Sequence, residues 1–343
     1  MNKLLSVIAI IMTLAVASCH HVEEWPDDPV GNFDALWTGI DRHYCFLDEK
    51  GIDWDSVYSV YRPQVSDQTD PVALFNICSD MLDELRDGHV NITSPFATSY
   101  YKKWWSDYPQ NYNERLVDEY YLHFGGFTRG GFTYAILPDS IAYVRYSTFA
   151  STPGDATLDW MLMLLRDCHG MVFDIRDNGG GSISYVETIV SRFIDRRILA
   201  GYITHKSGPG HNEFSEPYAY YFDPVADGRF RWDKPVVVLT NRSTFSAANN
   251  FASVMSSLPQ VTLIGDRTGG GSGMPFSSEM PCGWSYRFSA SPVYDAEMRL
   301  TEFGVDPDIR VDLDPEMALK GIDTILETAL EFLRNKETDS DSR

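Results

Sequence analysis

The sequence predicts an α/β fold, a core of mostly parallel strands alternating with helices and entered through a small helical subdomain. Three observations predict it. From about residue 140 onward, short runs rich in β-branched and aromatic residues alternate with amphipathic stretches. Ahead of them, apolar residues recur at steps of three and four over residues 32–86. With 343 residues, 43% hydrophobic and 13% aromatic, the chain can bury a core of that size.

The first element is a leader. "MNKLLSVIAIIMTLAVASC" has one cation, an apolar run and small residues before Cys19, the shape of a secretion signal over residues 1–18 and too short for a comfortable membrane span. Its end, "VASC", resembles a bacterial lipobox, which implies lipidation at Cys19 and a place in the cell envelope, on the periplasmic or outer-membrane face. Polar, Pro-rich residues 19–31 then suit a tether.

The helical subdomain, residues 32–92, follows from two periodic stretches. Phe33, Leu36, Trp37, Ile40 and Tyr44 mark one stripe; Leu74, Ile77, Cys78, Met81, Leu82 and Leu85 mark another. Residues 93–135 are rich in Tyr, Trp and Gly without clear periodicity and read as a connector, a hairpin or a substrate-facing surface. The α/β core, residues 136–334, holds strands at "SIAYVRYSTF", "GMVFDI", "PVVVLTN" and "VTLIGD", and helices at "SISYVETIVSRFIDRR" and "SAANNFASVMSSL". A last helix starts at Asp314 and Pro315 and keeps Ile322, Ile325, Leu326, Ala329, Leu330 and Leu333 on one face; residues 335–343 are expected to fray.

Charge excludes one class of partner. Net charge is −21, whereas phosphate-backbone binding needs clustered Lys and Arg, so no nucleic acid is expected. Cys45, Cys78, Cys168 and Cys282 are widely spaced and lack any C-x-x-C pair, so neither a metal site nor a dense disulfide framework is expected. No cofactor is called for.

Chemistry concentrates at strand ends, where open α/β sheets bind ligands. "NRSTFSAANN", residues 241–250, carries Ser243, Thr244 and Ser246 between a buried strand and a helix. Ser246 falls at the helix N-terminus, where free N–H groups stabilise negative charge; Ser243 or Thr244 as a simple N-cap is the blander explanation for a hydroxyl there. "VFDIRDNGGGS", residues 172–182, lets a glycine backbone approach a ligand closely, and it lacks the P-loop signature. "ELRDGHVNI" places His89 just past a helix end, a candidate base for a hydroxyl nucleophile.

Together "DIRDNGGG", "STFSAANNF", "DGH" and "EFGVDPDI", in this order of His, glycine loop, Ser and carboxylate segment, resemble the C-terminal processing peptidase and tricorn core protease family of serine peptidases. The resemblance implies a crotonase/ClpP-like core of strand-strand-helix units. It implies Ser246 as nucleophile, the Ala247 and Gly180 N–H groups as oxyanion hole, His89 as base and Glu302 as its support. Processing peptidases of the family use a Lys downstream of the Ser, but Gly271 stands at that place in "TGGGSG". The tricorn-like branch is therefore the better match, although Gly88 stands where a Ser can precede the His. Many relatives insert a PDZ domain, and the roughly forty residues between Thr93 and Ala135 are too few for one. The expected partner is a peptide or unfolded protein substrate. Two alternatives stay open: a peptide- or apolar-ligand-binding lipoprotein, since interphotoreceptor retinoid-binding proteins share this fold as carriers, and a crotonase-like acyl-CoA enzyme, against which the secretion signal counts.

Overall fold

The runs read as strands pair into one seven-stranded sheet in a computed structural model that describes residues 24–341, with side chains described to residue 336. Its order is Ile309–Arg310, Val261–Gly265, Val236–Thr240, Gly170–Asp174, Ile141–Tyr146, Phe132–Leu137 and Phe127–Arg129. The first five are parallel to one another; the last two form an antiparallel hairpin on Ile141–Tyr146. The central strands are buried on every residue, and apolar on all but Asp174 and Thr240 at their ends, because both faces are covered. Met171, Phe173, Val236, Val238 and Leu263 meet the helices Asp155–Leu165, Ile183–Val190 and Ala247–Ser256 on one face. Val172, Val237, Leu239 and Ile264 meet Ile325, Leu326, Ala329 and Leu330 of the last helix on the other.

The helical subdomain forms as its two stripes predict. Pro29–His43 starts behind an Asp28 cap with Pro at its first position, and Pro71–Asp83 starts likewise behind Asp70. Their buried stripes close on Tyr286 and Phe288 of a second sheet and on Trp284 just ahead of it. That sheet is antiparallel, in the order Thr98–Tyr100, Asn91–Thr93, Ser285–Tyr294, Ile198–Ile203, Tyr218–Phe222, with Gly273–Glu279 paired to Ser285–Tyr294. Its strands carry no regular alternation of burial, which is why periodicity does not reveal them; Tyr218–Phe222 exposes two of its four aromatic residues.

Several boundaries differ from expectation for physical reasons. The helix expected over "SISYVETIVSRFIDRR" stops at Val190, because Arg192 turns inward to bond Asp155, Asp159 and the Phe230 carbonyl. The last helix is two: Pro315–Ala318, then Thr324–Asp341 after Gly321, whose φ of +81° ends the first. Asp323 caps the second by accepting from the Ile325 and Leu326 N–H groups, and the helix continues to Asp341 through residues expected to fray. The aromatic connector is structured, with the helix Glu114–Tyr120 and the edge hairpin within it. The leader, Cys19 and most of the tether lie outside the described residues.

Candidate active site

The turn after Val236–Thr240 sorts its hydroxyls by what they touch. Thr244 is fully buried; its hydroxyl donates to the Ile175 carbonyl at 3.0 Å and accepts from the Asn241 N–H at 3.2 Å, tying two strand ends together. Ser246 occupies the cap position but does not cap. Its backbone has φ +58° and ψ −120°, outside the ordinary regions for a side-chain-bearing residue, at a typical cost of about 1–3 kcal/mol. Its N–H, donating to the Gly270 carbonyl at 2.9 Å, helps hold that shape. The strained turn leaves the hydroxyl free of the helix, and Oγ lies 2.9 Å from His89 Nε2, contributed by a residue 157 positions away.

His89 is held as firmly. After the helix Pro71–Asp83 the chain turns through Arg86 in a left-handed conformation (φ +49°), and Asp87 accepts the His89 backbone N–H at 2.8 Å. The other Asp87 oxygen accepts from Tyr44 (2.9 Å) and from Ser289 (2.8 Å) of the second sheet. The imidazole packs on the Phe245 ring with centroids 4.8 Å apart. Burial pushes the His89 pKa down to about 4 despite the opposing pull of Asp87, so the ring is neutral at pH 7. With Nε2 accepting from Ser246, the proton sits on Nδ1, which is buried and has no hydrogen-bond partner among the described residues.

Glu302 does not fill that gap. One of its oxygens accepts from Lys50 Nζ at 2.9 Å and the other from the Ser272 N–H at 2.8 Å; no hydrogen bond joins it to His89. Lys50 also stands 3.5 Å from Asp87, so one buried ammonium bridges two buried carboxylates. Burial, and then the Asp87 charge, push Glu302 up to about 7, while Lys50 pulls it down. Burial works against the charge on Asp87 too, yet Lys50 and His89 bring its carboxyl below the ordinary range. The pair thus divides unequally, with Asp87 the firmer anion. Sequence reasoning quoted Asp87 within "DGH" without giving it a role, and it missed Lys50, which sits in a loop with no motif around it.

Two glycines explain the departures from the family pattern. A Cβ at Gly271 would lie 2.4 Å from the Phe245 ring, and its φ is +78°, so the position where a Lys would stand cannot carry a side chain unstrained. A Cβ at Gly88 would lie 2.4 Å from Trp104 Nε1, because Trp104 stacks on Phe245 with centroids 4.1 Å apart.

The glycine loop reaches Ser246. A Cβ at Gly180 would meet Ala247 N and Ser246 Cβ, both at 2.8 Å, so only glycine permits this approach. The loop is pinned through Asn178, whose carbonyl accepts the Phe245 N–H and whose amide donates to the Tyr146 carbonyl. At its root Arg176, fully buried, pairs with Asp174 and Asp323. Ala247 opens its helix, so its N–H has no partner within that helix. The Gly180 N–H is engaged, donating to Asn178 Oδ1 at 2.9 Å. A cleft of about 330 Å³ opens beside Ser246, His89 and Ala247, walled by Ile183, Met274 and Val293. Among the described residues no group of His, Cys, Asp or Glu is placed to hold a metal, and no helix is long and apolar enough to cross a membrane.

Comparison with known proteins shows a peptidase family. The profile of peptidase family S41 matches residues 140–311, and that of the tricorn protease C1 domain matches residues 26–83. The crystal structure of a candidate peptidase from Parabacteroides merdae is 48% identical, with a TM-score of 0.86, over 90% of this chain and 97% of that one. A tricorn-like protease C-terminal subunit candidate from Sulfurisphaera tokodaii is 27% identical over 60% of this chain. The carboxy-terminal processing protease CtpA of Bacillus subtilis is 24% identical over 54%. This chain spans 21% of the length of the first of these two and 38% of the second.

Proposed function

We propose that this chain, which belongs to peptidase family S41, hydrolyses peptide bonds with Ser246 as nucleophile and His89 as base. The observation that carries the reading is the 2.9 Å approach of His89 Nε2 to Ser246 Oγ across 157 residues. Oγ attacks the substrate carbonyl carbon while Nε2 takes its proton, and the resulting oxyanion accepts from the Ala247 N–H. The Gly180 N–H joins it on leaving Asn178; losing one such donor costs other enzymes about 3 kcal/mol. Nε2 then returns the proton to the departing amine, and water enters through the same base to free the acyl-enzyme. Asp87, whose charge favours the protonated ring, offsets the imidazolium charge, and Glu302 acts at one remove through Lys50. The substrate is a peptide or unfolded protein, cut internally or trimmed at its carboxyl end. The enzyme is held to the cell envelope through lipid on Cys19. A carrier would gain nothing from the strained Ser246 or from a neutral buried imidazole at its hydroxyl.

The test is labelling with a serine-directed phosphonylating probe. Wild-type protein labels and Ser246→Ala does not, while both keep the same unfolding midpoint; equal labelling of the two removes Ser246 from the reaction. New peptide termini from a mixed library, read by mass spectrometry, identify the bond cut.

A further inference from the structure

Behind the Phe245 ring, away from the cleft beside Ser246, lies a second cleft of about 370 Å³ whose charge contradicts the rest of the molecule. The chain has 49 acidic and 28 basic residues, yet this cleft is lined by Lys50, Arg86, Arg242 and Arg267 against the single carboxylate Glu302. Lys50 already holds Glu302. Among the described residues the Arg267 guanidinium pairs with Asp306 alone, at 3.4 Å and with both groups partly exposed. Arg86 and Arg242 pair with no carboxylate among the described residues. Arg242 is instead set in place by neutral groups, the Trp104 and Thr268 carbonyls and the face of Tyr108, 4.0 Å from its guanidinium. Arg86 donates to the Lys50 carbonyl from its strained left-handed turn. Guanidinium groups fixed by carbonyls and a ring, in a protein with carboxylates to spare, are preorganised for an acid that is not part of the chain.

We propose that this cleft is an anion site, taking a carboxylate or phosphate group between Arg86, Arg242 and Arg267. Trp104 and Phe303 provide an apolar wall for whatever carries the acid. The proposal does not depend on the peptidase reading, because no residue of the cleft takes part in the proton transfer.

The test uses the protein with Ser246→Ala throughout, so that no turnover occurs and binding alone is read. Calorimetric titrations at constant ionic strength compare inorganic phosphate, a short acetylated peptide with a free carboxyl end, and the same peptide amidated. Saturable binding of phosphate or of the free-acid peptide is expected, weakened about tenfold or more by Arg242→Gln and by Arg86→Gln. Unfolding midpoints without ligand establish that both variants are folded, and Arg86, being exposed, serves where Arg242→Gln proves unstable. Binding of the free-acid peptide with loss on amidation identifies a peptide terminus as the source of the acid; binding of phosphate alone identifies a free anion. No saturable binding of either probe, or binding that both variants leave unchanged, overturns the site.

Discussion

At the scale of single residues the site is a balance between burial and charge, and pH exposes it. His89, with its pKa at about 4, binds fewer protons folded than unfolded between about 4 and 6.5, so acidification through that window costs stability. Glu302, pushed up to about 7 from an ordinary 4.5, binds more protons folded than unfolded between those values, so acidification there adds stability. Each term is on the order of 3 kcal/mol, and in the wild type they oppose each other. Glu302→Gln should therefore unmask a fall in urea-unfolding free energy as pH drops from 6.5 to 4, and His89→Gln a rise as pH drops from 7 to 4.5. Flat profiles in both variants would mean that neither group titrates as its burial demands. Gly271 is the other informative residue: Gly271→Lys meets both the Phe245 ring and a left-handed backbone, and should lower stability by about 2–4 kcal/mol without restoring activity to His89→Ala protein, which keeps Ser246. The residue types at Ser246, His89 and the glycine loop were legible because their neighbours form motifs. Lys50 was not, since its place beside Glu302 is created only by packing between the helical subdomain and the core.

At the scale of elements, the glycine loop and the last helix are one unit. Arg176 donates two hydrogen bonds to Asp323, the cap of Thr324–Asp341, and others to Asp174 at the end of its own strand. Arg176→Met would strand two buried carboxylates, and a loss of about 3–5 kcal/mol is expected in chemical denaturation. Arg176→Lys should recover only part of it, because an ammonium cannot serve two carboxylates in the fork geometry of a guanidinium. This network also marks where sequence reasoning fell short. Apolar spacing correctly gave the face of the last helix through Ile325, Leu326 and Leu330, but it ran the helix unbroken from Asp314, since nothing in spacing tells that Asp323 is a cap engaged by an arginine 147 residues earlier. The parallel strands were legible because burial on both faces makes them continuously apolar. The antiparallel sheet was not, because Gly273–Glu279 and Tyr218–Phe222 are largely exposed and their burial does not alternate with a period of two.

At the scale of the whole molecule, the two sheets and the helical subdomain meet where the site lies. Ser289 reaches Asp87 from the second sheet and Tyr44 from just past the first helix, while Ser246 comes from a turn of the parallel sheet. The proposed anchor belongs to this scale too: Cys19→Ala should move the protein from the membrane fraction to the soluble one, with probe labelling at Ser246 unchanged. Retention of the variant in membranes would dissociate location from that cysteine. The hydroxyl and its imidazole come from opposite halves of the chain. A ribosome-bound polypeptide that has the imidazole does not yet have the alcohol, and thermal opening of either layer parts them again. The proposed peptidase chemistry is thereby confined to the finished molecule, and the growing chain is spared it.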